Sequence, residues 1–145
     1  MKMSNDFIID VYIKELRSKL EQAVPVWNAG LTKAQDKSIE RVQKIALSII
    51  FGIYINRDNY ARACSIAGIE TLAERRKALS LNYGLKNLKS KHSFFTKEET
   101  RMDTRSEKKL VKEFTCKTSR FERSSLPYLA SLINEHHRRK TRTNV

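Results

Sequence analysis

The sequence predicts a mainly α-helical fold: a small helical bundle of three or four helices with a loosely attached basic C-terminal segment. Three observations carry this prediction. Apolar residues recur at helical spacing through much of the first ninety positions. Capping-box patterns stand where two helices would begin, Thr32 with Gln35 and Thr71 with Glu74. Gly52 and Gly68 stand where the preceding periodic stretches stop. The chain of 145 residues is long enough for one domain with its own core, since chains of this size bury roughly two thirds of their unfolded surface. With 40% hydrophobic and 31% charged residues it is too apolar for full disorder.

The first helix is read from Asp6 to about Gln22, where Ile9, Tyr12, Ile13, Leu16 and Leu20 make an apolar stripe and Lys14, Arg17 and Lys19 lie on other faces. It closes before Pro25, because the residue preceding a proline avoids the α region, which makes Val24-Pro25-Val26-Trp27 a short extended turn. Trp27, the single tryptophan, is expected to anchor the contact between the first two helices. The second helix follows Thr32, presents Ile39, Val42, Ile45, Ala46, Ile49 and Ile50 as one continuous face, and stops at Gly52. A shorter third helix runs from Asp58 to Ala67 and ends at Gly68. The fourth opens at the Thr71 and Glu74 box and continues through Leu72, Leu79, Tyr83 and Leu88 to about Lys89, with Gly84 as its weak point. Residues 1–90 thus form the bundle.

Residues 91–108 show no sustained period and read as a basic loop. Residues 109–135 form the C-terminal segment. In it Leu110, Val111, Phe114 and Phe121 suit a short strand or an irregular stretch, and Tyr128, Leu129, Leu132 and Ile133 form one face of a short final helix behind Ser125 and Pro127. Residues 136–145 read as a disordered basic tail.

The net charge of +13 is unevenly placed. Residues 1–70 hold ten Lys/Arg and eight Asp/Glu, a surplus of +2, whereas residues 71–145 hold nineteen and eight, a surplus of +11. A field of that sign attracts polyanions, which places the partner surface in the second half. A membrane surface is the weaker fit, because the basic residues of the first helix are offset by Asp6, Asp10, Glu15 and Glu21 and no apolar run approaches a membrane span. Only Cys64 and Cys116 are present and no CxxC pair occurs, so neither a disulfide framework nor a zinc finger follows from spacing. Cys64 reads as a small core residue of the third helix. A reducing compartment, cytoplasmic or nuclear, is expected, with no metal and no cofactor.

Candidate phosphate contacts follow from the charge runs. Arg75, Arg76 and Lys77 open the fourth helix, and Lys86, Lys89 and Lys91 carry the charge along it and into the loop, although arginines in a first turn also pair with carboxylates such as Glu70 or Glu74. Arg120 and Arg123 alternate with Phe121 and precede Tyr128, a mixture that suits base stacking with phosphate pairing. The aromatics serve equally well as anchors for the last helix, which leaves the two arginines as the phosphate candidates. Arg138 and Arg139 lie in the run from His136 to Lys140, where adjacent histidines point to different sides of a helix and make a poor metal site. Arg41 and Lys44, three apart on the second helix, are within reach of phosphates, against the plainer reading of a solvated face on a core helix.

Several short blocks follow one another in a recognisable order: Leu20-Glu21-Gln22-Ala23-Val24-Pro25-Val26-Trp27-Asn28, Leu31-Thr32-Lys33, Ile39-Glu40-Arg41-Val42-Gln43-Lys44-Ile45-Ala46, Ile49-Ile50-Phe51-Gly52, Leu72-Ala73-Glu74-Arg75-Arg76 and Arg120-Phe121-Glu122-Arg123-Ser124-Ser125-Leu126-Pro127-Tyr128. From about Tyr12 to Asn134 the chain thereby resembles the C-terminal, thumb and downstream region behind the palm of jockey-like non-LTR retrotransposon reverse transcriptases. The resemblance implies a thumb-like role in which helices beside the duplex grip template and primer. The implied partners are RNA, DNA or an RNA–DNA hybrid, together with a reverse-transcriptase palm and fingers polypeptide. The Tyr/Phe-x-Asp-Asp turn that holds the palm's catalytic metals has no counterpart here, since the only adjacent acidic pair is Glu98-Glu99 in a Lys-rich loop. The expectation is a non-catalytic nucleic-acid-binding fragment of an RNA-directed DNA polymerase. Its alternatives are a protein-interaction module that packs Ile9, Leu16, Ile39 and Ile49 faces on a palm, or an inactive pseudogene remnant. The protein alone is expected to give no template-dependent nucleotide incorporation, and incorporation above a buffer control would contradict this reading.

Overall fold

A computed structural model describes residues 4–90, 93–97 and 109–143. The fold is mainly helical, and among the described residues no strand forms. The chain divides into two compact units, Met1–Val24 with Leu31–Lys77 and Pro25–Gly30 with Ala78–Val145. The division falls within a helix and not at the loop after residue 90.

In the first unit α1 (Asn5–Val11) runs into a π-helical stretch, Tyr12–Arg17, and then α2 (Ser18–Glu21). Residues five apart on an α-helix stand about 140° apart around its axis, and the wider turn of a π-helix brings them nearer one side. Tyr12 and Arg17 both turn inward as a result and are buried, while Ile13 and Leu16 are exposed. The single apolar stripe read from the sequence is therefore broken, and Arg17 does not lie on a solvated face. Ala23, at a positive φ of 54°, turns the chain into α3 (Val24–Trp27), so the expected extended turn is a helical one. Pro25 is tolerated there because a first helical turn does not use its N–H. Trp27, expected as a buried anchor, is half-buried and groups with the second unit.

The α4 helix (Lys33–Phe51) begins with the Thr32 and Gln35 capping box and ends at Gly52, which takes the left-handed conformation at φ 65°. Its buried face is Gln43, Leu47 and Ile50, whereas Val42, Ile45 and Ile49 are exposed. The face read from apolar spacing is rotated, because a glutamine occupies the middle of the true one. Gln43 is fully buried: its Oε1 accepts from the Tyr12 hydroxyl at 3.0 Å, and its Nε2 donates to the Glu70 carbonyl at 2.9 Å and to Cys64 Sγ at 3.3 Å. Asn56 and Asn59 form a capping box for α5 (Arg57–Ile66), and Gly68 at φ 64° follows it. Tyr12, Leu47, Ile50, Ile55, Tyr60, Ala63, Cys64 and Ile69 make the core of this unit. Cys64 is a buried core residue, as the sequence suggested.

The α6 helix (Leu72–Lys89) contributes its later turns to the second unit, together with α7 (Ser119–Glu122) and α8 (Ser125–Thr143). Phe95, Val111, Leu129, Ala130 and Ile133 form the core here, with Leu81, Leu85 and Leu88 of α6 packed against it. A Cβ on Gly84 would stand 3.2 Å from Ile133 Cδ1, so the missing side chain is what lets these two helices approach. Residues 109–118 are irregular, and Val111 makes only an isolated antiparallel bridge to Lys97. The segment expected to be loosely attached supplies most of this core. Asn134 fixes it: Oδ1 accepts the N–H groups of Leu110 and Val111 at 3.0 and 2.9 Å, and Nδ2 donates to the Val111 carbonyl at 2.9 Å.

The final helix is longer than the sequence suggested, continuing to Thr143 through most of the expected tail. Lys140 and Arg142 in its last turn sit at the negative end of the helix dipole, and Arg139 pairs with Glu135 one turn back. Asn134→Ala is expected to leave two N–H groups and one carbonyl buried without partners, at a cost of about 2 kcal/mol or more in the stability measured by urea unfolding.

Candidate nucleic-acid interface

The capping box at the start of α6 is present: the Glu74 N–H donates to Thr71 Oγ1 at 3.2 Å and the Thr71 N–H to Glu74 Oε2 at 3.3 Å. The two arginines that follow are ion-paired. Arg75 Nε donates to Glu21 Oε1 at 3.1 Å, an oxygen that also accepts from Arg17 Nε at 2.8 Å. Arg76 is only 2% exposed; its Nε donates to the Leu72 carbonyl at 3.2 Å, and its Nη2 bonds Asp36 and lies 3.7 Å from Glu40 Oε1. Arg76 therefore holds α6 to α4 and cannot reach a phosphate, which corrects its assignment as a contact. The sequence suggested Glu70 or Glu74 as partners, but the carboxylates that serve come from Glu21, Asp36 and Glu40.

The remaining candidates lie on the surface. Lys77, Lys86 and Lys89 are exposed on α6, as are Arg120 and Arg123 at α7, while Lys91 lies outside the described residues. Lys86, Lys89, Arg120 and Arg123 make no ion pair among the described residues. Phe121 meets Phe114 edge-on at 6.2 Å, and the Tyr128 hydroxyl accepts from Asn28 Nδ2 at 3.2 Å, so both aromatics are engaged within the protein. Arg138 and Arg139 are exposed on α8, the latter paired with Glu135.

Sequence reasoning missed a groove in the first unit, between α4 and its connection to α5, of about 1050 Å³. Lys37, Arg41 and Lys44 line it from α4 and Arg57 from α5. Glu40 would ordinarily pair with Lys44 one turn on. Instead its carboxylate accepts from the Tyr60 hydroxyl and the Ala73 N–H and faces Arg76. Lys44 stands over the Tyr60 ring at 4.9 Å. Lys37, Arg41 and Arg57 make no ion pair among the described residues. The spacing of Lys37, Arg41 and Lys44 was visible in the sequence; the diversion of the acids was not.

Three buried groups titrate abnormally. Burial pushes the Tyr12 hydroxyl up to about 12, although the nearby Arg17 charge opposes the shift. Burial and the hydrogen bond to the Glu40 carboxylate raise Tyr60 well above an ordinary phenol. Burial also raises the Cys64 thiol, which keeps it protonated and unreactive. Among the described residues no group of three His, Cys, Asp or Glu could hold a metal ion, and no helix is long and apolar enough to cross a membrane. No protein-family model, curated protein or solved structure matches the chain.

The tyrosines give a pH dependence. Both hydroxyls ionise at higher pH in the folded chain than at the ordinary 10.0, so the stability they contribute is complete below about pH 10 and is lost as the pH rises above it, through about 12 for Tyr12 and higher still for Tyr60. Helical circular dichroism is expected to be lost in that window together with the appearance of the Tyr12 and Tyr60 phenolates. Phenolate absorbance accounting for all five tyrosines while the helix signal stays intact would contradict their burial.

Proposed function

We propose that the chain binds nucleic acid through its phosphates, without catalysis and without reading sequence. The role is that of a thumb-like part of a mobile element's RNA-directed DNA polymerase, gripping template and primer. The charge of the second unit carries this reading. By sequence, that unit holds sixteen Lys/Arg against seven Asp/Glu, whereas the first holds thirteen against nine and commits Arg17, Arg75 and Arg76 to ion pairs. Lys86, Lys89, Arg120 and Arg123, exposed and without an ion pair among the described residues, are suited to phosphate oxygens of RNA, DNA or a hybrid. The resemblance to non-LTR reverse transcriptases supports the same reading, and a cytoplasmic or nuclear site is where such a partner would be met.

A second reading, an adaptor that packs on a polymerase palm, is favoured by the exposure of Leu16 and Ile49, two of the four residues whose faces would make that contact.

Anisotropy titrations with a labelled duplex at several salt concentrations separate the two. On B-form DNA log K is expected to fall with log salt by about 0.9 per phosphate contact. Replacing Lys86, Lys89, Arg120 and Arg123 with Ala should flatten that slope by about 3 to 4 for unrelated sequences alike. Arg76→Ala should lower stability but leave the slope unchanged. Binding that ignores salt, or the absence of binding, would favour the adaptor.

A further inference from the structure

We propose that the groove between α4 and the α4–α5 connection is a site for single-stranded nucleic acid, where Tyr54 stacks on a base and Lys37, Arg41 and Arg57 hold the flanking phosphates. The proposal rests on the nucleic-acid reading above and narrows it: duplex phosphates meet the second unit, and an unpaired strand meets this groove.

The groove is built around a fixed backbone. Gly52 turns the chain out of α4 in the left-handed conformation. Ile55 is buried in the core, and its N–H donates to Ser48 Oγ at 3.0 Å. Asn59 Nδ2 donates to the Tyr54 carbonyl at 3.0 Å, and the Asn56 N–H donates to Asn59 Oδ1 at 2.7 Å. The main chain on the C-terminal side of Tyr54 is thus held by three hydrogen bonds and a core anchor, yet Tyr54 as a residue is 84% exposed. A ring on a backbone already held in place loses little further freedom when it binds.

The charges lie beside that ring. Lys37, Arg41 and Lys44 recur at i, i+4 and i+7, which spans about 10 Å along one side of α4, and Arg57 faces them from the start of α5. Asp36 and Glu40 line the same groove but are taken up by Arg76, Tyr60 and Ala73. Ile45 and Ile49, the latter 71% exposed, add apolar surface against which a base can lie.

A stacking surface beside cations is the arrangement that suits an unpaired strand, because in a duplex the base faces are already covered. An acidic amphipathic helix would need recesses for anchors at i, i+3, i+4 and i+7. Tyr54 and Ile49 instead stand out into solvent.

The test uses the full chain, with a labelled oligothymidylate of about 12 nucleotides and a duplex of equal length. Tyr54→Ala is expected to weaken single-strand binding about fivefold or more and leave duplex binding unchanged, while Tyr54→Phe retains both. Replacing Lys37, Arg41 and Arg57 with Ala should flatten the single-strand salt slope by about 2. The proposal is overturned, with the broader reading intact, if the groove variants change neither affinity or weaken strand and duplex equally. It is also overturned if oligoglutamate of matched charge displaces the strand as well as unlabelled oligothymidylate does, which would assign the groove to an acidic protein. If wild-type protein binds neither strand nor duplex, the broader reading fails as well.

Discussion

Where a chain leaves a helix and runs across a hydrophobic core, its backbone N–H and C=O groups lose water and must find other partners. Each unit of this protein meets that constraint with one buried carboxamide. In the first, Gln43 on α4 takes the Glu70 carbonyl between α5 and α6 and, through its other atoms, the Tyr12 hydroxyl and the Cys64 sulfur. In the second, Asn134 on α8 takes both N–H groups and the carbonyl at Leu110 and Val111. Apolar packing supplies most of the driving force in both units, but it does not direct a loop to one position. The carboxamides do, because a shift of the loop would leave several polar groups buried and unpaired.

A similar competition decides the electrostatics. The chain has many more cations than anions, so its few carboxylates determine which cations remain available. Glu21 is shared by Arg17 and Arg75, and Asp36 and Glu40 converge on Arg76. Those pairs lie within the first unit, and all but Arg17–Glu21 join residues distant in sequence. They bury Arg76, occupy Arg75 with Glu21, and leave Lys37, Arg41 and Arg57 on the groove without an ion pair among the described residues. The phosphate-binding reading thus depends less on where lysines and arginines are densest than on where the acids have been drawn away.

The π-helical stretch at Tyr12–Arg17 connects these two themes. By turning both Tyr12 and Arg17 inward it delivers a hydroxyl to Gln43 and a guanidinium to Glu21. A regular helix would present only one of the two to the interior. The outward rotation of Ile13 and Leu16 that accompanies it accounts for exposed apolar surface that packing within the unit does not use.

Local signals determined the helical class and most helix boundaries. The Thr32 and Thr71 boxes, Gly52 and Gly68 act through bonds and dihedral angles spanning a few residues, so reading them required no knowledge of distant neighbours. The exposure of Lys86, Lys89, Arg120 and Arg123 was legible for the same reason: among the described residues no carboxylate pairs with them. Gly84 is different, because local propensity marks it as a weak point and only the proximity of Ile133 explains its presence. Tertiary structure alone decided the buried face of α4, where a polar Gln43 interrupts the apolar pattern. It likewise decided the burial of Arg76, the packing of residues 110 and 111 onto α8, and the groove beside Tyr54. Each of these depends on a partner 20 or more positions away or on a backbone turn with no signature in residue type, and apolar periodicity carries no information about such pairings.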